Sequence, residues 1–134
     1  MKGSHMSPIV ENEDQIREFD ESSNENPVVM LNLLKFKPDG GIESYAQYSK
    51  HVVPFLQKYG AEMIFLGKAK ELLHGTEPWD AVMLVRYPSR KALTQMGDDP
   101  GFQEVHRHRE AGLERAVLLA VDEMSVKNLF FSKK

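Results

Sequence analysis

Apolar residues recur along this chain with two periods, two residues and about 3.6, and the switches between them mark out the elements. Ser7 to Glu25 is polar and acidic, with Ile9, Ile16 and Phe19 as its few apolar anchors. Ile16 and Phe19 share a helical face, so a short docked helix is expected. Asn26-Pro27 breaks the chain and opens PVVMLNLLKF, a β-branched-rich apolar run ended by the turn residues Lys37-Pro38-Asp39-Gly40-Gly41. This run predicts a first strand buried on both faces. From Gly41 to Gly60 the period lengthens, with Tyr45, Ser49, Val52 and Leu56 on one stripe, widened by Tyr48, Phe55 and Tyr59, and a glycine at the end. That is a helix, which Pro54 should kink by removing the bond to the Lys50 carbonyl.

Ala61 to His74 has the apolar content of a return strand, with Gly67 suggesting a bulge or bend. Gly75-Thr76-Glu77-Pro78 forms a turn, and Trp79 to Tyr87 reads as a third strand ending at Pro88. Ser89 caps a short helix, RKALTQM. The Gly97-Asp98-Asp99-Pro100 break then resets the axis for a second helix, with Asp99 as N-cap and Pro100 in its first turn. ERAVLLAVDEM supplies a fourth strand, and the tail from Ser125 to Lys134 carries Leu129, Phe130 and Phe131, apolar enough to pack against something such as a neighbouring subunit. The order is β-α-β followed by β-α-β, an α+β chain with the ferredoxin-like βαββαβ arrangement. Helices on one face leave the other face of the sheet apolar and open. Two sheets packed face to face in a homodimer would cover it, forming a dimeric α/β barrel.

The densest ionisable cluster, His106 to Glu110, lies on the last helix. A helix turns about 100° per residue, so Phe102, His106, Arg109 and Leu113 fall within roughly 60° of one another, with Val105 at the edge of the stripe. Two polar side chains thus interrupt an apolar face, whereas Arg107 and Ala111 point the other way and His108 and Glu110 sit on the flanks. A histidine titrates near neutrality and suits proton abstraction, and an arginine one turn away can stabilise an enolate, carboxylate or phenolate. The competing reading is a buried structural network in which His106 and Arg109 bond Glu110, Asn32 or backbone carbonyls. Asn32 is the odd residue of the first strand, a satisfied core amide, a bulge or a pocket-facing group. Tyr45 is a core aromatic with a wet hydroxyl or an orienting group in a pocket. Arg86 shares a face with Val82 and Leu84, which makes it a strand-end charge or a cation at a pocket mouth.

Metal binding is suggested by the HRHRE segment but not by its spacing, because His106 and His108 differ by about 200° around a helix. His106 with Glu110, or Glu104 with His108, supplies two ligands and no third. No glycine-rich phosphate loop, serine nucleophile motif or dinucleotide fingerprint is present, so no cofactor is expected.

At 134 residues the chain is expected to be a single domain over 26–124, with an N-terminal arm over 7–25 and a C-terminal tail over 125–134. MKGSHM at 1–6 looks like an expression-vector scar, which removes His5 from consideration. A formal charge of -3, from 17 basic and 20 acidic residues, offers no basic footprint for nucleic acid. No apolar run approaches the roughly 18 residues of a membrane span, and a cytoplasmic location is the default. The absence of cysteine removes disulfides and thiolate chemistry.

From Asn26 to Val121 the chain resembles the DUF1330 family of the dimeric α/β-barrel superfamily, through VVMLNLLKFKPDGGIESYAQYSKHV, WDAVMLVRYPSRKAL and DDPGFQEVHRHREAGLE. The resemblance implies a ligand cavity between sheet and helices, where Asn32, Tyr45, His106 and Arg109 would converge. It implies no single activity, since the superfamily includes cofactor-free monooxygenases, cyclases, isomerases, haem-dependent enzymes and ligand binders. The expectation is a homodimeric small-molecule enzyme performing cofactor-independent proton transfer, isomerase- or cyclase-like, on a hydrophobic carbonyl-bearing or acidic substrate. In it His106 is the acid/base, Arg109 the anion stabiliser, Asn32 and Tyr45 the orienting groups, and Trp79 and Arg86 the pocket rim. The alternatives are a non-catalytic ligand-binding dimer and a cofactor-free or haem-linked monooxygenase.

Overall fold

The computed structural model describes residues 9–125 and 127, and within them runs α1 (Glu13–Glu21), β1 (Val28–Phe36), α2 (Gly41–Lys58), β2 (Glu62–Lys68), β3 (Ala81–Tyr87), α3 (Arg90–Asp98), α4 (Pro100–Gly112) and β4 (Leu113–Val121). The expected scar at 1–6 and most of the tail, with Leu129, Phe130 and Phe131, lie outside these residues. The four strands form one antiparallel sheet in the order β2-β3-β1-β4, the ferredoxin-like topology. β1, the most apolar strand, is central and pairs with β3 on one side and β4 on the other.

Register decides which side chains meet the helices. Met30 lies opposite Val85 and Ala120, Asn32 opposite Met83 and Leu118, and Leu34 opposite Ala81 and Ala116. Opposed residues share a face of the sheet. This face carries the core, in which Val28, Met30, Leu34, Met83, Val85 and Tyr87 pack with Tyr45 and Val52 of α2, Met96 of α3 and Phe102 of α4. Burying such side chains stabilises by about 1.5–3 kcal/mol each before entropy is counted. On the opposite face Leu31 meets Leu84 and Leu119, and Leu33 meets Val82 and Val117. None of α1 to α4 lies over that face, and among the described residues Phe65 and Leu119 on it are about half exposed. Within β1 that face is less buried than the other, Val29 being buried and Leu31 and Leu33 half-buried, so the expectation that β1 is buried on both faces holds in part for the single chain.

Local chemistry sets the helix ends. The Ser89 hydroxyl accepts from the Ala92 amide at 3.2 Å, and the Asp99 carboxylate accepts from Gly101 at 2.9 Å. The two helices of the broken layer begin where the caps predict. Asp99 also accepts from the Tyr59 hydroxyl at 2.7 Å and from Lys58 at 3.0 Å, tying the end of α2 to the start of α4. These bonds hold its carboxyl down at about 2.

Three details differ from the sequence reading. β2 ends at Lys68, and the chain to Asp80 is irregular, exposing Leu72 and Leu73, so apolar content alone overstated the strand. The register shift in β2 falls between Met63 and Phe65 and not at Gly67. Ser49, placed on the buried stripe of α2, is exposed.

The arm docks on the helix layer. Ile9 and Phe19 pack against the core cluster, the Arg90 guanidinium stands 5.4 Å from the Phe19 ring, and Thr94 donates to Asp20 at 3.0 Å. No described helix is long and apolar enough to cross a membrane.

Candidate functional site

The crossing of α2 and α4 builds the site. Where they cross, glycine meets glycine: a Cβ on Gly112 would lie 2.6 Å from the Gly41 carbonyl oxygen and 3.0 Å from the Tyr45 amide nitrogen. Only glycines let the two backbones approach this closely. The Lys37 amide donates to the Gly112 carbonyl at 3.0 Å, and the Ser44 hydroxyl to the His108 carbonyl at 2.9 Å, fixing the last turn of α4 against the first turn of α2. Tyr45 and Arg109, each one turn from this contact, are thereby brought towards the middle of β1.

Arg109 is 8 % exposed, and among the described residues its one hydrogen bond runs to the side-chain oxygen of Asn32 at 3.3 Å. It has no ion pair among the described residues. Asn32, itself 6 % exposed, donates its amide to the Met30 carbonyl at 3.3 Å. The guanidinium of this buried residue thus has one protein acceptor among the described residues, and that acceptor is neutral.

Phenols surround it. Tyr45 is 7 % exposed, and its buried hydroxyl has no hydrogen-bond partner among the described residues. Burial raises the pKa of Tyr45, of Tyr48 and of Tyr87, the last to about 12, and the Arg109 charge offsets part of the rise in each. Arg109 is close enough to act on Tyr45 electrostatically, although their geometry is not that of a hydrogen bond. All three phenols are therefore neutral at physiological pH.

His106 is half-buried between the rings of Phe102, 5.2 Å away, and Tyr48, 6.4 Å away. Its Nδ1 is buried without a partner, and its Nε2 lies 3.7 Å from the Glu110 carboxylate, beyond hydrogen-bond range. Burial lowers its pKa first and the Arg109 charge second, while Glu110 and Glu11 of the arm oppose the shift. The imidazole is held neutral, with a lone pair available to take a proton.

Asn32, Tyr45, His106 and Arg109 thus lie together between sheet and helices. Tyr48, which the sequence places only on the stripe of α2, joins them, and so does Tyr87, which it places only at the end of the third strand. Its alternation with Met83 and Val85 on a face shared with Asn32 was the available signal. Arg86 and Trp79, read as pocket rim, are not part of the cluster. Arg86 pairs across the sheet with Val29 and so lies on the open face, where it bonds Glu123 at 2.6 Å and approaches Glu62 at 3.9 Å. Trp79 lies under the guanidinium of Arg115, 5.0 Å from its ring, and Arg115 also pairs with Glu77. The two-residue period grouped Arg86 correctly with Val82 and Leu84, but pairing with β1 turns that face away from the helices.

Two surface concavities lie away from this cluster, one lined by Ser22, Ser23, Asn24, Glu25, Pro88, Ser89 and Lys91 and one along Glu11–Gln15. Among the described residues no three His, Asp or Glu side chains gather as a metal site.

The family described as "Domain of unknown function (DUF1330)" matches residues 41–124. Among solved structures, the chain is similar to RPA0582, a protein of unknown function from Rhodopseudomonas palustris, with 29% identity, 87% of this chain and 96% of that chain covered, and a TM-score of 0.80. It is also similar to At3g17210 from Arabidopsis thaliana, at 16% identity, 74% and 97% coverage and a TM-score of 0.60. A third similar structure is a dimeric ferredoxin-like protein of unknown function from Jannaschia sp. CCS1, at 11% identity, 73% and 100% coverage and a TM-score of 0.59. The last two likenesses show the fold alone. No curated protein matches the chain.

Proposed function

The chain belongs to the DUF1330 family, and we propose that this member is a homodimeric small-molecule enzyme that moves a proton on a carbonyl-bearing or acidic substrate without a cofactor. The observation that carries the reading is the pairing of a neutral, half-buried His106 with a buried Arg109 that has no counter-ion among the described residues. A neutral imidazole accepts a proton from carbon next to a carbonyl, and the guanidinium stabilises the oxyanion that forms. Neutral phenols at Tyr45 and Tyr48 donate to the same oxygen without competing for the proton. In the reverse step the imidazolium returns the proton to a different carbon or oxygen, which is an isomerisation.

The sheet face that α1 to α4 leave open supports the dimer. Leu31, Leu84 and Leu119 align across three strands with Phe65 beside them, and charged pairs stand at the margins. An apolar centre with a charged rim fits a second copy of the same face. The dimeric ferredoxin-like neighbour supports this reading.

Deuterium incorporation tests the chemistry without a known product. In D2O, the protein should accelerate exchange of the carbon-bound proton in at least one member of a panel of 2-oxo acids and lactones. His106→Ala should lose about a hundredfold of that rate. Equal exchange by wild type and His106→Ala would reject the reading. The second reading, a ligand-binding dimer, is favoured by the unpartnered Tyr45 hydroxyl and predicts binding with no exchange at all.

A further inference from the structure

The same cluster defines the class of molecule it takes, an inference that rests on reading it as a ligand site. Arg109 carries five N–H donors, and among the described residues one of them meets an acceptor, the neutral oxygen of Asn32. A second, independent group points to a missing acceptor: the Tyr45 hydroxyl, on a residue more than nine-tenths buried, donates to nothing. The Tyr45 hydroxyl is thus a buried donor left unpaired, which is costly, and a folded chain satisfies nearly all such groups.

Charge and shape narrow the ligand. The phenols are neutral and burial disfavours charge on His106, so the cluster carries one positive charge, that of Arg109. A ligand with one negative charge neutralises it, whereas a second negative charge would enter a poorly solvated site unmatched. The guanidinium fork matches the planar spacing of two carboxylate oxygens. Rings continue from it in an unbroken series, Phe36 to Tyr45 at 5.4 Å, Tyr45 to Tyr48 at 5.2 Å, Tyr48 to His106 at 6.4 Å and His106 to Phe102 at 5.2 Å. Aromatic edges and faces of this kind favour a flat, unsaturated partner.

We propose that the Arg109 cluster binds a flat monocarboxylate, with the guanidinium and the Tyr45 hydroxyl on its carboxylate and the Tyr48, His106 and Phe102 rings against its unsaturated body. The carboxylate then sits beside the buried Nδ1 of His106, and the atoms that exchange protons are those next to the carboxylate-bearing end.

Calorimetric titration of the full chain with benzoate, benzamide and phthalate, each against sodium chloride at matched ionic strength, tests this. Benzoate should bind once per chain, and the neutral amide and the dianion at least tenfold more weakly. Tyr45→Phe should weaken benzoate about tenfold while its melting temperature stays at or above that of wild type, because it removes an unsatisfied hydroxyl. Arg109→Lys keeps the charge, loses the fork and should also weaken benzoate. Benzamide or phthalate binding as tightly as benzoate overturns the monocarboxylate assignment and leaves the proton-transfer reading standing. No benzoate binding, or binding unaffected by both substitutions, also overturns it. Benzoate binding with these effects but no deuterium exchange on any panel member rejects proton transfer and keeps the ligand class.

Discussion

The Arg109 guanidinium on α4 donates to the Asn32 side-chain oxygen on β1 at 3.3 Å, so the helix layer and the centre of the sheet are joined by a cation on a neutral acceptor. The functional account follows from this pairing, from the neutral phenols around it and from the adjoining imidazole.

The glycine crossing that positions the pair is directly testable. Gly112→Ala places a methyl 2.6 Å from the Gly41 carbonyl oxygen, so α2 and α4 must separate. Urea unfolding should show a loss of about 1–3 kcal/mol, the cost of overpacking. Gly97→Ala is the control, because a Cβ there meets nothing within 4 Å and the residue lies inside α3. It should gain roughly 0.5–1 kcal/mol through helix propensity. Equal behaviour of the two variants would contradict the close crossing.

Acid sensitivity should trace to Asp99. Its carboxyl is held at about 2 against an ordinary 3.8, chiefly by the Tyr59 and Lys58 hydrogen bonds. A depressed carboxylate contributes stability that is fully present above 3.8 and is lost as pH falls from there through about 2. Asp99→Asn should be less stable than wild type at neutral pH and should lose that segment of the acid dependence, as followed by circular dichroism. An unchanged acid profile would show that the Tyr59–Asp99–Lys58 link does not form in solution.

The open face of the sheet makes a prediction about assembly. Leu31 stands at its centre, opposite Leu84 and Leu119. Light scattering on the wild type at micromolar concentration should give a dimer, and Leu31→Glu should give a monomer or fail to fold. A second variant, Phe65→Glu on the exposed β2 edge, should weaken the dimer with less effect on the chain's own core. A stable, folded wild-type monomer would remove the paired-sheet account.

The sequence carried these relationships unevenly. His106 and Arg109 were legible because a 3.6 period between Phe102 and Leu113 puts both on the inward stripe, and Arg109 is indeed buried on it. Asn32 stood out as an amide in an apolar run. Both signals are local. The Gly41–Gly112 contact joins residues 71 positions apart, and neither glycine's neighbourhood announces the other. Arg86 illustrates the same limit: strand alternation groups side chains by face, but the register with Val29, a long-range fact, decides which face meets the helices. Ala69–His74 reads as strand because Leu72 and Leu73 look like core residues, and both remain exposed in the single chain.

The central claim is that an anion enters beside Arg109 and His106. The most direct measurement is the NMR titration of the His106 ring, assigned by its loss in His106→Gln, with and without saturating benzoate. Free His106 should titrate below the ordinary 6.5, because burial and the Arg109 charge both disfavour its protonated form. Benzoate neutralises Arg109 and should move that midpoint upward. A free midpoint at or above 6.5, or one that benzoate leaves in place, would contradict the account.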